Sequence, residues 1–299
     1  MALTLQTGVA APCSLAECLA ALDETGFDPA DPASLERAAH WLARLGANRD
    51  LLGNIALEEL KAGCDRPGGQ GYCPQVMMLG KARAGWFVRA NIWPSAQEAV
   101  VRESGEAAFV YGLPHDHNFS FLTVGYHGPG YRSDHYEVDP DTIIGVAGEH
   151  VTLRFVETSL LDRGRVMLYR ARRDVHCQFA PETLSVSINL MHSAAQQRWH
   201  DQYRYDLASS TIAAVLTQCT GDALARLSLA LDPANGRDLL EHIAARHQID
   251  RMRWSAIQAL ALSEAGNDAR SEFYYRYASE SSGWLQQRCT AAAIVAIAD

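Results

Sequence analysis

Two histidines one residue apart, His115 and His117, lie in the middle of the stretch 109–136, FVYGLPHDHNFSFLTVGYHGPGYRSDHY. A turn signal (Gly112, Pro114) precedes them, and an alternating apolar run, Phe119, Phe121, Leu122 and Val124, follows. Alternation at period two predicts a strand. On a strand the two imidazoles leave from the same face. Two imidazoles side by side can grip one metal ion, the imidazole being the commonest protein ligand for metals. Taken alone, the pair reads equally well as polar surface, and the rest of the chain has to decide.

The elements that would position this pair fall into three regions. Most of 13–62 carries helical stripes. One segment follows Ser14, a second follows Asp31-Pro32-Ala33-Ser34 with Ser34 as its expected cap, and a third runs over 48–61. A Gly-rich loop, 63–71, ends this lead-in; Cys64 and Cys73 flank it and stand open as a pair. From Pro74 the texture becomes strand-like, with segments at 76–79, 86–93, 107–111, 120–126, 131–137, 151–157, 165–171 and 184–191, and a tight hairpin turn at 161–164. Short strands separated by Gly, Pro and Asp turns predict a sandwich or a barrel. After His192 the strands are expected to stop and helix to return. Two segments there, from Arg253 and from Arg288, repeat at a spacing of 35 residues (288 − 253) in a HEAT-like pattern. Two copies also fit a plain helical bundle. The expected division is therefore a helical lead-in over 1–70, a β region (sandwich or barrel) over 71–195 and a helical region over 196–299. The leucines of that last region are expected to pack it on the barrel.

Composition removes several classes of function. Of 299 residues, 26 are Lys or Arg and 35 are Asp or Glu, a net charge of −9. No basic run exceeds two residues, which argues against nucleic acid as a partner. No apolar stretch reaches the roughly 18 residues of a membrane helix, and the N-terminus lacks the basic region of a signal peptide. Seven cysteines, an odd number without a CxxC pair, fit reduced thiols in a cytoplasmic protein.

A metal held by His115 and His117 needs a third ligand. In double-stranded β-helix folds it comes from a later strand, and His176, ahead of the apolar run 184–190, has that place in the order of the chain. On these residues the chain resembles the cupins, and among them the three-histidine thiol dioxygenases, the cysteine dioxygenase group. Pro114-His115-Asp116-His117 is similar to their Ile-His-Asp-His motif. Asp174-Val175-His176 with Ser185-Val186-Ser187-Ile188-Asn189-Leu190 is similar to their later histidine and the strand after it. Phe87-Val88-Arg89-Ala90-Asn91 is similar to the segment that carries their carboxylate-binding arginine. The resemblance spans 75–192, about two fifths of the chain.

It implies an all-β cupin barrel with N-terminal helices and a C-terminal all-α region. It also implies one metal on His115, His117 and His176, with Arg89 holding a substrate carboxylate. The implied metal is Fe(II), with Zn, Mn, Ni and Cu as alternatives, and the implied partners are a small-molecule substrate and O2; a homodimer is admitted. Arg89 also reads as a solvent-facing strand residue. Phe121 and Leu122 stand where cupins usually carry a glutamate ligand, which favours a three-histidine set. The family's cross-linking cysteine falls near Leu122, and its Ser-His-Tyr set falls on Ser187, Asn189 and Met191. The expected activity is a mononuclear non-haem iron oxygenase acting on a small amino-acid-like or thiol-bearing carboxylate. The alternatives are a non-oxidative metal cupin (isomerase or hydrolase), or a non-enzymatic ligand- or peptide-binding cupin with a helical interaction region. Of the remaining histidines, His127 and His135 are expected at a barrel rim and His150, His192 and His200 at the surface. The side chain of Asp116 is expected to face away from the two ligands.

Overall fold

In the computed structural model, which describes residues 3–8, 11–62, 75–217 and 219–298, two capping residues set where the first helices begin. Ser14 Oγ accepts the Glu17 N–H and the Glu17 carboxylate accepts the Ser14 N–H in return, a capping box that opens α1 (Leu15–Thr25). Asp31 caps α2 (Pro32–Ala47) by accepting from the N–H groups of Ala33 and Ser34, with Pro32 in the first turn. Ser34, the expected cap, lies inside that helix instead, and its Oγ accepts the Asp28 N–H at 3.0 Å. α3 (Leu51–Lys61) follows. The loop 63–71, the 70/71 boundary and both flanking cysteines lie outside the described residues.

Nine strands and a short helix follow from this pattern: β1 (Leu3–Leu5), β2 (Val76–Met78), β3 (Trp86–Trp93), α4 (Ala99–Ser104), β4 (Phe121–His127), β5 (Arg132–Glu137), β6 (Arg154–Leu160), β7 (Val166–Tyr169), β8 (Asp174–Gln178) and β9 (Ser185–His192). The named strands pair antiparallel among the described residues. One sheet has the order β1-β7-β4-β9-β3-β2 and the other β6-β5-β8. Alternation divides the larger sheet into two faces. Val88, Ala90, Leu122, Val124, Ile188 and Leu190 share a core with Leu22 of α1, Leu42 and Leu45 of α2, and Leu51 and Leu52 of α3. Trp93, Phe121, Met167, Tyr169 and Met191 form a second core on the other face, together with Tyr131 and Leu161 beside the smaller sheet.

Three expectations are corrected here. The segment 107–111 is not a strand: Glu106–Phe109 forms a 3₁₀ turn and Val110 adopts φ 63°, consistent with the helix-forming Glu-Ala-Ala run after Gly105. The turn at 161–164 is not a hairpin, because β6 pairs with β5 while β7 pairs with β4 and β1. It carries the chain from one sheet to the other, tied by the Leu161 N–H to the Tyr131 carbonyl at 3.0 Å. His115 and His117 lie in an irregular segment between elements and not on the strand that follows.

The chain divides into two compact units, 1–138 with 153–194, and 139–152 with 195–299. The second is not purely helical, against expectation. It opens with a hairpin, β10 (Gln202–Asp206) and β11 (Thr211–Thr217), before α5 (Thr220–Leu231), α6 (Pro233–Arg246), α7 (Asp250–Ala261), α8 (Asn267–Ser279) and α9 (Gly283–Ala298). The period-two pattern of Tyr203 and Tyr205, and β-branched Thr211, Ile212 and Val215, favour strand locally. Segment 139–152 joins this hairpin: Gly148 N–H donates to the Ile212 carbonyl and Val151 N–H to the Ser210 carbonyl. The helices close a core of their own around Leu240, Trp254, Ile257, Leu260, Phe273 and Leu285. Leu227, Leu231, Leu239 and Leu262 remain exposed. No helix among the described residues is long and apolar enough to cross a membrane.

Candidate metal centre

β8 anchors the site. His176 sits at its middle, paired across to His135 on β5. His115 comes to its other side by a reciprocal backbone bridge: the His115 N–H donates to the His176 carbonyl at 3.0 Å and the His176 N–H to the His115 carbonyl at 2.9 Å. Two residues on, the His117 carbonyl accepts the Arg172 N–H at 2.6 Å, which folds the segment back over β8. The outcome brings His115, His117 and His176 together, with one ring nitrogen of each within 4.8 Å of the others. Their ring centroids lie 4.5 to 5.1 Å apart.

The hydrogen bonds decide which nitrogens are available. His115 Nδ1 lies 2.8 Å from the Leu113 carbonyl. A carbonyl only accepts, so Nδ1 carries the proton and Nε2 keeps its lone pair. His117 Nε2 and His176 Nε2 are 3.1 Å apart. Two nitrogens about 2.1 Å from a common ion and at right angles around it stand about 3.0 Å from each other, so the spacing suits a shared metal. Burial is the leading cause that depresses all three histidines, His117 and His176 well below the usual imidazole range. Neutral imidazoles are what a metal requires of its ligands.

The walls are aromatic. Phe119 and Phe121 have ring centroids 4.8 and 5.2 Å from that of His117. Tyr169 lies 4.7 Å from His176 and stacks on Phe121 at 4.6 Å with an interplanar angle of 3°. The positive charge of Arg89, on β3 opposite Asn189, is among the causes that depress His117. It also opposes the burial that raises Tyr131. Arg89 is thus half-buried and acts on the histidine side of its sheet. Asp116, between the two histidines, is 1% exposed.

Sequence reasoning missed two members of this neighbourhood. His135, expected at a rim, is buried, and its Nε2 lies 2.8 Å from Ser159 Oγ. Its alternation with Tyr131 and Ser133 was the signal for an inward face. Tyr169, at the end of β7, had no such mark. The departures from the thiol dioxygenase pattern lie where strand alternation puts them. Leu122 belongs to the core against α1 to α3, away from the histidines. Asn189 Oδ1 accepts from Thr123 Oγ1 at 2.6 Å, Ser187 Oγ accepts from Trp93 Nε1 at 3.0 Å, and Met191 packs in the aromatic core.

No model of a known protein family matches the chain, and no curated protein is similar to it in sequence. Solved structures show weak likeness. The DMSP lyase DddQ from Ruegeria pomeroyi DSS-3 is 10% identical with a TM-score of 0.23, over 64% of this chain and 79% of that one. A hydroquinone 1,2-dioxygenase from Sphingomonas sp. TTNP3, solved with 4-hydroxybenzoate bound, is 10% identical with a TM-score of 0.27, over 42% and 70%. Against a further DMSP lyase (12% identity, TM-score 0.24) the match covers 40% of this chain and spans 44% of the other's length. Such scores carry no argument about what this chain does.

Proposed function

We propose that the chain is a metal-dependent oxygenase on a cupin-type barrel, with His115, His117 and His176 as ligands of one Fe(II). The observation that carries this reading is the group of two buried imidazoles, His115 and His176, and a half-buried one, His117, whose ring nitrogens converge and whose protonation burial disfavours. The group contains no carboxylate, so a divalent ion bound there keeps its full charge and favours an anionic substrate. When bound, the metal supplies a Lewis-acid and redox centre with positions open to substrate and O2. The chain's own residues do the rest. Arg89 offers a guanidinium fork to a substrate carboxylate. Phe119, Phe121 and Tyr169 exclude water from the histidine side, and the Leu113 carbonyl fixes the His115 ring.

The substrate class this supports is a small amino-acid-like or thiol-bearing carboxylate. Cysteine itself fits poorly, because Asn189 and Met191 provide no acid or phenol where the thiol dioxygenases have one. The same imidazoles suit Zn, which gives a non-oxidative isomerase or hydrolase as the second reading. Metal analysis of protein purified without added metal, then oxygen uptake with a panel of thiols and amino acids, separates the two. The expected outcome is iron, with uptake that falls about a hundredfold in Arg89→Met, the loss that goes with two charge-assisted hydrogen bonds. Cysteine is expected to turn over well below about 1 s⁻¹. Iron-loaded protein that consumes no oxygen with any carboxylate would contradict the oxygenase reading.

A further inference from the structure

The helical unit holds a cleft of about 250 Å³ that none of the histidine chemistry uses. Side chains of α7, α8 and α9 line it. Trp254 and Tyr274 stack there, ring centroids 5.8 Å apart at 23°. Ala292 and Val295 contribute an apolar wall, and Arg270 and Arg288 are its two cationic groups. A cation beside apolar walls loses hydration without gaining a counter-charge, so an aromatic and aliphatic slot flanked by two guanidiniums favours an anionic group carried on an apolar body.

Neither cation is neutralised where it stands. Arg288 lies over the Trp254 ring, 5.1 Å from its centroid, and donates to the backbone carbonyls of Ile144 and Gly145. Those are neutral acceptors, and Asp201 and Glu149 act on it only as charges at a distance. Arg270 makes no ion pair among the described residues, and its buried Nε has no hydrogen-bond partner. Both guanidiniums work against the burial that raises the Tyr274 phenol to about 12, which puts their charge on the same wall. A planar guanidinium matches a carboxylate in a two-pronged bond, and a slot this size suits a small apolar body.

We propose that this cleft binds a small amphiphilic carboxylate, its head between Arg270 and Arg288 and its hydrocarbon body against Trp254, Ala292 and Val295. Isothermal titration of the full chain with octanoate, 1-octanol and inorganic phosphate tests it. Each titration is run in an Arg89→Met background, so that the carboxylate anchor proposed for the β unit is absent. Octanoate is expected to bind saturably at one site, with octanol about tenfold weaker or worse, the factor for one lost charge-assisted hydrogen bond. Phosphate, without a body to bury, is expected to give no heat. Arg270→Met should weaken octanoate about tenfold by the same argument, and Ala292→Phe should abolish binding by filling the slot, with helix content confirmed by circular dichroism. If Ala292→Phe fails to fold, Arg270→Met alone decides. No saturable octanoate binding, octanol or phosphate binding as tightly as octanoate, or unchanged octanoate affinity in Arg270→Met would each overturn the proposal.

Discussion

At the scale of single residues, His135 is a buried imidazole with a working range of its own. Burial pushes it down from 6.5 to about 4, against a smaller upward pull from Asp174. Its folded pKa thus lies below its unfolded one, so the unfolded chain binds the extra proton between about pH 6.5 and 4. The His135 contribution to stability is whole above pH 6.5, falls as pH drops through that window, and levels off below pH 4. At 1.36 kcal/mol per pKa unit this amounts to about 3 kcal/mol at most. Urea unfolding of metal-stripped His135→Asn between pH 7 and 4.5 should therefore show a shallower loss of stability than the parent. An equally steep profile would mean that His135 is hydrated in the folded protein. The pair His115 and His117 was legible from its spacing, but spacing alone could not single out His176 among the eight histidines that follow; that took the strand order of a double-stranded β-helix. The burial of His135 was not legible, since the residues that cover it, Ser159 and Tyr169 among them, come from strands 20 to 35 residues downstream (159 − 135 = 24, 169 − 135 = 34).

At the scale of elements, β4 depends on a glycine for closeness. Gly125 sits at an irregularity in the pairing of β4 with β9, and a Cβ there would meet the Asp162 carbonyl oxygen at 2.0 Å and its carbon at 2.7 Å. These are backbone atoms, which cannot swing aside as a side chain does. They belong to the 161–164 turn that carries the chain between the sheets. Gly125→Ala should cost about 2 kcal/mol or more, in the range of overpacked cores, measured by urea or thermal unfolding. A loss under about 0.5 kcal/mol, the size of an ordinary surface change, would mean that this turn is free to move. Strand positions were readable because alternation survives in 86–93, 131–137 and 184–191. Strand pairing was not, because the sequence of 161–164 looks the same whether it joins neighbours in one sheet or crosses to another. The hairpin β10–β11 was hidden for a different reason. It has only a few alternating residues and lies next to long helical stripes, so the helical reading was carried over it.

At the scale of the whole molecule, the two units share the chain unevenly, since 139–152 leaves the β unit to join the hairpin at 202–217. A fragment that ends at residue 199 keeps this segment and loses its partners, β11 and the Trp284 indole that donates to the Ile144 carbonyl at 3.0 Å. Hydrogen exchange should find the Gly148 and Val151 amides protected in the full chain and exchanging freely in the 1–199 fragment. Protection retained in the fragment would mean that the segment is held locally. The central claim is that His115, His117 and His176 together hold one ion, and the metal content of purified protein tests it most directly. Elemental analysis of the parent and of His176→Ala, both prepared without added metal, should give about one ion per chain for the parent. The variant should give less than about a tenth of that, because two imidazoles with several open positions hold a divalent ion weakly. A folded His176→Ala protein with its full complement of metal would contradict the claim.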